Sequence, residues 1–257
     1  MAKKRDKRFP KQVLGFFVFL LFTDVFPGSQ IYGSIESKKL LSFHFDKIEA
    51  RGALSLFIKP GKRNRQIEYF ADSSIIDTVT VRVSNRTLFL DANNSFMLSR
   101  RIPLLRLTAQ RTFPIEVFIS IEELKEISLL DNCSLQMESL RGDELKIFTS
   151  STGSLHASDL LTRQIKLRQE GNGDVFLKGR EVMNLSAEVY GQGSLRCEEL
   201  FLDRATVRHF GDGQIIIAPS EWMDAKIFGS GNIELLENPL GKVVENKGKG
   251  GRLIEND

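Results

Sequence analysis

A pair of small residues returns along this chain every twenty positions, and that period limits the folds open to it more than any other feature. Gly-x-Gly stands at Gly171/Gly173, Gly191/Gly193 and Gly211/Gly213. Degenerate copies precede these at Ser151/Gly153 and Asp131/Cys133, and Gly229/Gly231 and Gly248/Gly250 continue the series at spacings of 18 and 19. Self-similarity at a short fixed period marks a solenoid, in which each repeat buries its apolar face against its neighbours alone. The architecture is therefore legible, whereas the repeat names no ligand and no reaction.

Registering the repeats on the second small residue exposes columns. Two places after it stand Leu135, Leu155, Val175, Leu195, Ile215 and Ile233, and four places after it Met137, Ala157, Leu177, Cys197, Ile217 and Leu235. Six places before it stand Ile127, Ile147, Leu167, Ala187, Val207 and Ala225, next to a polar column of Lys146, Lys166, Ser186 and Thr206. Apolar residues at period two argue half-buried strands rather than helices. Twenty residues holding two or three short strands make one coil of a parallel β-helix, with equivalent strands about 4.8 Å apart. The glycines read as corner residues, since a tight turn often needs φ > 0. Between them Asn132, Thr152, Asn172, Gln192, Asp212 and Ser230 form a solvated corner column. A leucine-rich repeat is excluded, because its Asn ladder and helix-forming half are missing.

The 257 residues allow one large or two ordinary domains, and 41% hydrophobic content fills a core. The net charge of +3 sits at the start. Residues 1–33 hold six Lys/Arg and two Asp, which leaves 30 basic and 31 acidic residues in the rest. That near-neutral remainder gives no support to nucleic-acid binding. The basic start precedes an apolar run, Val13 to Phe22, and the breaker Pro27-Gly28. This is the anatomy of a secretory signal peptide cleaved near Ser29 or Gly33, or else of an uncleaved anchor. The run is short of the roughly 20 residues that a spanning helix needs. No Cys follows it, which excludes a lipoprotein anchor. Cys133 and Cys197 are three coils apart, about 14 Å at the strand spacing. A disulfide needs Cα atoms within about 7 Å, so two free thiols are expected.

The domain plan is thus residues 1–33 as signal, 34–42 as a polar linker, and 43–257 as a single solenoid domain. Within it, residues 43–120 are shorter, partly antiparallel strands and residues 121–257 carry the repeats. Strands are predicted over Leu41–Ile48, Ala53–Ile58, Ile67–Phe70 and Ile115–Ser120. A hairpin is predicted from Val79–Val83 and Thr87–Asp91 around Ser84-Asn85. Residues 93–112, with Arg100, Arg101, Arg106 and Arg111, read as an extended loop with a solvated basic face.

Within residues 43–257, "FDKIEARGALSLFIKPG", "IEYFADSSIID", "LFL", "PIEVFISIEELKEISLLDNCSL", the Gly-x-Gly series and the closing "NPLGKVVENKGKGG" resemble the bacterial autotransporter-adhesin head, or GIN, domain. The departures are Asp131/Cys133, Ser151/Gly153 and the arginine-rich segment. The resemblance implies an exported, β-helix-like domain that carries an adhesin label without a defined activity. Family and the usual hand of parallel connections both favour a right-handed solenoid.

Chemistry-bearing clusters are sparse. His44, His156 and His209 have no partner at metal-ligand spacing, so neither metal nor cofactor is expected. His209 shares an inward column with Leu129, Thr149, Gln169, Val189 and Ile227 and reads as a hydrogen-bonded core or corner histidine. Glu170-Gly171-Asn172-Gly173-Asp174 resembles a calcium nonapeptide, but such a site needs stacked repeats of nine. A carbohydrate-active β-helix enzyme would gather carboxylates on one outer face. The outer column Gln136, His156, Phe176, Arg196, Ile216, Glu234 mixes types without converging.

One outer column stands apart. Tyr190, Phe210 and Phe228 lie three places before the second glycine in successive coils, beside Arg168, Glu188, Arg208 and Lys226. If alternation holds up to the corner, they form an exposed platform for a glycan or a protein partner. If the corner turns the rings inward, they are an aromatic core stack. The functional expectation is a non-catalytic exported module that binds an envelope protein or a glycan, located in the periplasm, on the surface or outside the cell. A structural role through strand edges, forming a homo-oligomer, is the alternative, and a carbohydrate-active enzyme the remote one.

Overall fold

The computed structural model describes residues 34–61, 66–92, 94–102, 105–248 and 250–256, with side chains left undescribed over 95–102 and 105–111. The signal or anchor expectation for residues 1–33 lies outside the described residues. Among them there is no α-helix, and the chain is a β-solenoid with antiparallel strands in its N-terminal part.

The N-terminal strands are β1 (Ile35–Leu41), β2 (Lys47–Gly52), β3 (Ser55–Pro60), β4 (Gln66–Asp72), β5 (Val79–Ser84), β6 (Thr87–Ala92), β7 (Ser95–Ile102), β8 (Leu105–Thr112) and β9 (Glu116–Ile121). The repeats supply β10 (Glu126–Leu129), β11 (Ser134–Glu138), β12 (Arg141–Thr149), β13 (Leu155–Gln169), β14 (Val175–Val189), β15 (Leu195–Arg196), β16 (Leu200–His209), β17 (Ile215–Ile217), β18 (Pro219–Ile227), β19 (Ile233–Leu235), β20 (Gly241–Asn246) and β21 (Leu253–Glu255).

Two parallel sheets rise through the stack. The first runs β6, β2, β10, β12, the end of β13, the end of β14, β16, β18 and β20. The second runs β9, β3, β11, the start of β13, the start of β14, β15, β17, β19 and β21. Register is kept coil to coil, as in Ile147↔Leu167 and Leu167↔Ala187, so each inward column of the sequence is a buried stack. All eighteen residues of the three apolar columns are buried.

The repeat begins earlier than its sequence signal. β2 and β3 form a full coil on which β10 and β11 sit in parallel, with Ile48 under Ile127 and Leu56 under Leu135. At this end the edges are covered by antiparallel strands: β5 lies on β6, and β4 lies on β9 with β1 beyond it. Covering an edge removes the unpaired N–H and C=O groups that would invite another chain. The β5–β6 hairpin forms as predicted, turning through Asn85 (φ 51°) and Arg86 (φ 62°).

Three local expectations differ. Ser34–Lys39 is not a linker, because residues 35–41 form β1, an exposed edge strand paired with β4. The strand predicted over Leu41–Ile48 splits accordingly, with residues 42–46 between β1 and β2. Residues 95–102 and 105–112 form an antiparallel two-stranded ribbon, Ser95↔Thr112 through Ile102↔Leu105, instead of an extended loop.

The glycine corners also have a different cause. Their φ angles are not left-handed; among the described glycines only Gly52 and Gly250 have φ > 0. On this corner Asp131 has φ 62°, and the other positive-φ residues of the repeats, Ser139, Asp159 and Glu181, lie on another bend. At the corner the backbones of successive coils lie against one another, with Gly173 N donating to Ser151 O (3.1 Å) and Gly231 N to Gly211 O (3.1 Å). A Cβ at Gly173 would collide with the carbonyl of Gly153 in the coil below. Close approach, not turn geometry, demands glycine. The final pair also shifts: Gly251 packs on Gly231 and Gly248 on Gly229, while Gly250 bulges out with φ 137° and open space around it.

Candidate functional site

The inward residue of β14 before the corner is Val189, so Tyr190 follows it onto the outside; the same holds for Phe210 after His209 and Phe228 after Ile227. Each of these backbones is tied to the coil below, Tyr190 N to Gln169 O (2.8 Å), Phe210 N to Val189 O (2.7 Å) and Phe228 N to His209 O (2.8 Å). The fixed rise stacks the rings. Tyr190 and Phe210 are 4.6 Å apart between centroids and 4° apart in plane, and Phe210 and Phe228 repeat both values. Tyr190 is 39% exposed, Phe210 38%, and Phe228 half-buried. The inward aromatic core stack is thus not what forms. The reason is that alternation carries through to the corner, where the interior beside the rings is already filled by Val189, His209 and Ile227.

The ladder has a charged flank. Reading up the adjacent outer column, Arg168, Glu188, Arg208, Lys226 and Glu245 are in register. Arg168 places its guanidinium 4.9 Å from the Tyr190 ring centroid, closing that end of the ladder by a cation–π contact. It also pairs with Glu170 (2.6 Å) and Glu188 (3.6 Å), and the hydrogen bond it donates to Glu170 is the main reason its pKa is raised. The Tyr190 hydroxyl donates to Glu188 (3.2 Å), and partial desolvation, then the Glu188 charge, raises its pKa. At the other end Lys226 and Lys247 both hold Glu245, at 3.0 and 2.7 Å, bringing its carboxyl down to about 2. Arg208, half-buried in mid-column, takes part in no ion pair among the described residues.

Face-to-face stacking decides what the ladder can bind. Each inner ring face is covered by the next ring, so the surface on offer is a ridge of ring edges, not a set of open faces. An edge carries the positive side of the aromatic quadrupole and favours acceptors or a crossed ring. The corner column beside it is solvated as expected, and linked from coil to coil: Thr152 donates to Asn132 (2.8 Å), Gln192 N to Asn172 (3.3 Å), and Ser230 to Asp212.

Behind the corner, polar side chains are buried. Gln169 Nε2 donates to Gly173 O (2.9 Å) and His209 Nε2 to Gly213 O (2.7 Å), both four residues ahead. Burial lowers the His209 pKa, as fits a hydrogen-bonded core histidine. No group of three His, Cys, Asp or Glu side chains able to hold a metal occurs among the described residues. The side chains of the arginine-rich segment lie outside the described residues. One feature escaped the sequence: His156 and Phe176, in the mixed outer column, stack at 4.3 Å and 5°. The adjacency of two rings one period apart was the available signal.

The chain matches, over residues 44–239, the model of the family described as "Putative auto-transporter adhesin, head GIN domain". Among solved structures it is similar to a "putative adhesin" from Bacteroides fragilis, with 21% identity, 87% of this chain and 97% of that chain covered, and a TM-score of 0.74. A protein from Parabacteroides distasonis described as a "putative lipid binding protein" is similar at 16% identity, 88% and 98% coverage, TM-score 0.63. A "putative adhesin" from Parabacteroides merdae follows at 17% identity, 88% and 97% coverage, TM-score 0.57. These likenesses show a shared fold. No curated protein matches the chain.

Proposed function

The chain belongs to the auto-transporter adhesin head GIN-domain family, and from that premise we propose that it is a non-catalytic, exported binding module whose partner is a protein surface docked on the aromatic ladder. The observation that supports this most is the stacked, half-exposed row of Tyr190, Phe210 and Phe228 beside Arg208, a cation in no ion pair among the described residues. Aromatic and arginine side chains are the types that dominate protein interfaces. A sugar stacks on an open ring face, and the inner faces of this ladder are closed to it. No helix among the described residues is long and apolar enough to cross a membrane, and export through the basic-then-apolar start belongs to the same proposal. N-terminal sequencing of protein from the native cell should find residues before about Ser34 gone; an intact start in the cytosol argues against export.

Binding of the wild type to immobilised envelope and extracellular proteins, glycans and lipid vesicles tests the partner class, with Tyr190→Ala/Phe210→Ala/Phe228→Ala and the surface change Arg208→Glu as controls. Protein binding lost in both variants supports the reading. Glycan or vesicle binding lost in both would replace it, and binding untouched by either removes the ladder from the function. A second reading rests on the far end of the stack, where β20 and β21 have no strand beyond them among the described residues and Leu240 and Val243 are exposed. Concentration-dependent self-association, lost on placing a proline at Val243, would favour assembly through that edge.

A further inference from the structure

A recessed place lies on a different outer face from the ladder's ridge. β15 is only two residues long because the chain turns at once, with Leu200 N donating to Cys197 O (3.2 Å). That turn carries Glu198 and Glu199, and next to it is a cleft of about 210 Å³ on the outer side of the second sheet. One wall is the stacked pair His156 and Phe176. The rim holds two ion pairs: Arg196 Nε donates to Glu198 Oε1 (2.9 Å), and Lys178 Nζ bonds Glu199. The Arg196 guanidinium also stands 5.8 Å from the Phe176 ring centroid.

Charge balance narrows the ligand. Both cations are already matched by carboxylates, so an anion finds no spare positive charge, and a cation finds its carboxylates engaged. An ion pair does offer a donor and an acceptor side by side. A sugar hydroxyl, which donates once and accepts twice, can bridge such a pair, and vicinal hydroxyls can bridge two. Because these two rings face one another, the wall they offer is their edges, and the pyranose's C–H groups pack along those edges beside the hydroxyl partners instead of stacking on a ring face. The volume is below the roughly 300–1,000 Å³ typical of drug-sized sites, which suits one ring. We propose that this cleft binds a single neutral hexopyranose residue, with Phe176 and His156 as the apolar wall and Arg196–Glu198 and Lys178–Glu199 as hydroxyl partners. This site is independent of the ladder, and neither proposal needs the other.

His156 supplies a local reporter, because the other two histidines, His44 and His209, lie in other strands or loops and are distinguishable by substitution. The imidazole proton signals of the full chain are followed by NMR while methyl α-glucopyranoside, α-galactopyranoside and α-mannopyranoside are added separately, with sorbitol as the acyclic control. The expected result is a saturable shift of the His156 signal by at least one pyranoside, with a Kd of ~1–10 mM. Glu198→Ala should weaken it at least tenfold while the unfolding midpoint stays put, and Phe210→Ala should leave the titration unchanged. The proposal is overturned by no shift up to about 50 mM, well above that Kd, by an equal response to sorbitol, or by a titration that Glu198→Ala does not alter.

Discussion

Tyr190 and Phe210, twenty residues apart, lie face to face at 4.6 Å with their planes within 4°. Aromatic pairs contribute about 0.5–1.5 kcal/mol beyond area burial, and Phe210 sits between two such contacts. Phe210→Ala should therefore cost about 2 kcal/mol, less than the ~3–5 of a fully buried Phe→Ala. The Tyr190/Phe210 double-mutant cycle, measured by urea unfolding, should give a coupling of about 1 kcal/mol. A coupling indistinguishable from zero would show that the rings do not stack in solution.

The corner glycines allow crowding and backbone strain to be separated. A Cβ at Gly193 would run into the carbonyl of Gly173 and the Gln169 amide, although its φ is unremarkable. Gly193→Ala should cost about 3 kcal/mol, the upper range for an overpacked site. Gly250 is the converse, with open space but φ 137°, and Gly250→Ala should cost ~1–2 kcal/mol. Gly142 has neither problem, so Gly142→Ala in β12 should stabilise by ~0.5 kcal/mol. Equal melting shifts for all three would contradict the stacking account.

Cys133 and Cys197 are buried and free. Desolvation pushes the Cys133 thiol up to about 12 and the Cys197 thiol in the same direction. Since the thiolate is the reactive form, native protein should show essentially no reaction with a disulfide reagent at pH 8, and two thiols once unfolded. Rapid labelling of the folded protein would mean that the corner at Cys133 opens far more readily than its packing indicates.

What the sequence disclosed followed from repetition. Leu135, Leu155 and Val175 announce an inward stack because equal spacing and alternation coincide. The coil made by β2 and β3 was hidden, since β4 to β9 interrupt it and place Gly52 and Cys133, neighbours in the stack, 81 residues apart in sequence. The glycines were found, but their cause was not, because a contact with the next coil leaves the same residue type as a left-handed turn. The side of the Tyr190 column depended on whether alternation survives to the corner, which needs coordinates. His156 and Phe176 went unnoticed because charge and size vary elsewhere in their column, and only the short β15 creates the cleft beside them.

The last prediction concerns acid stability. The carbonyl of Gly213 can only accept, so His209 Nε2 carries the proton and Nδ1, buried without a partner, is the atom that would be protonated next. Burial lowers the folded-state pKa below its ordinary 6.5, outweighing the backbone at Gly213 and Val189 and the Asp212 charge, which act the other way. Below pH 6.5 the unfolded chain then binds a proton that the folded chain resists. Stability is accordingly full above that pH and falls as pH drops toward the lowered folded value, where the loss levels off. Gln169 makes the same bond to Gly173 from an equivalent place in its coil, and it does not titrate. His209→Gln should therefore keep the corner bond and flatten the decline in urea-measured stability that begins below pH 6.5, while His44→Gln, at an exposed site, leaves it in place. If His209→Gln and wild type lose stability in parallel over that range, the acid sensitivity belongs to the carboxylates and not to this histidine.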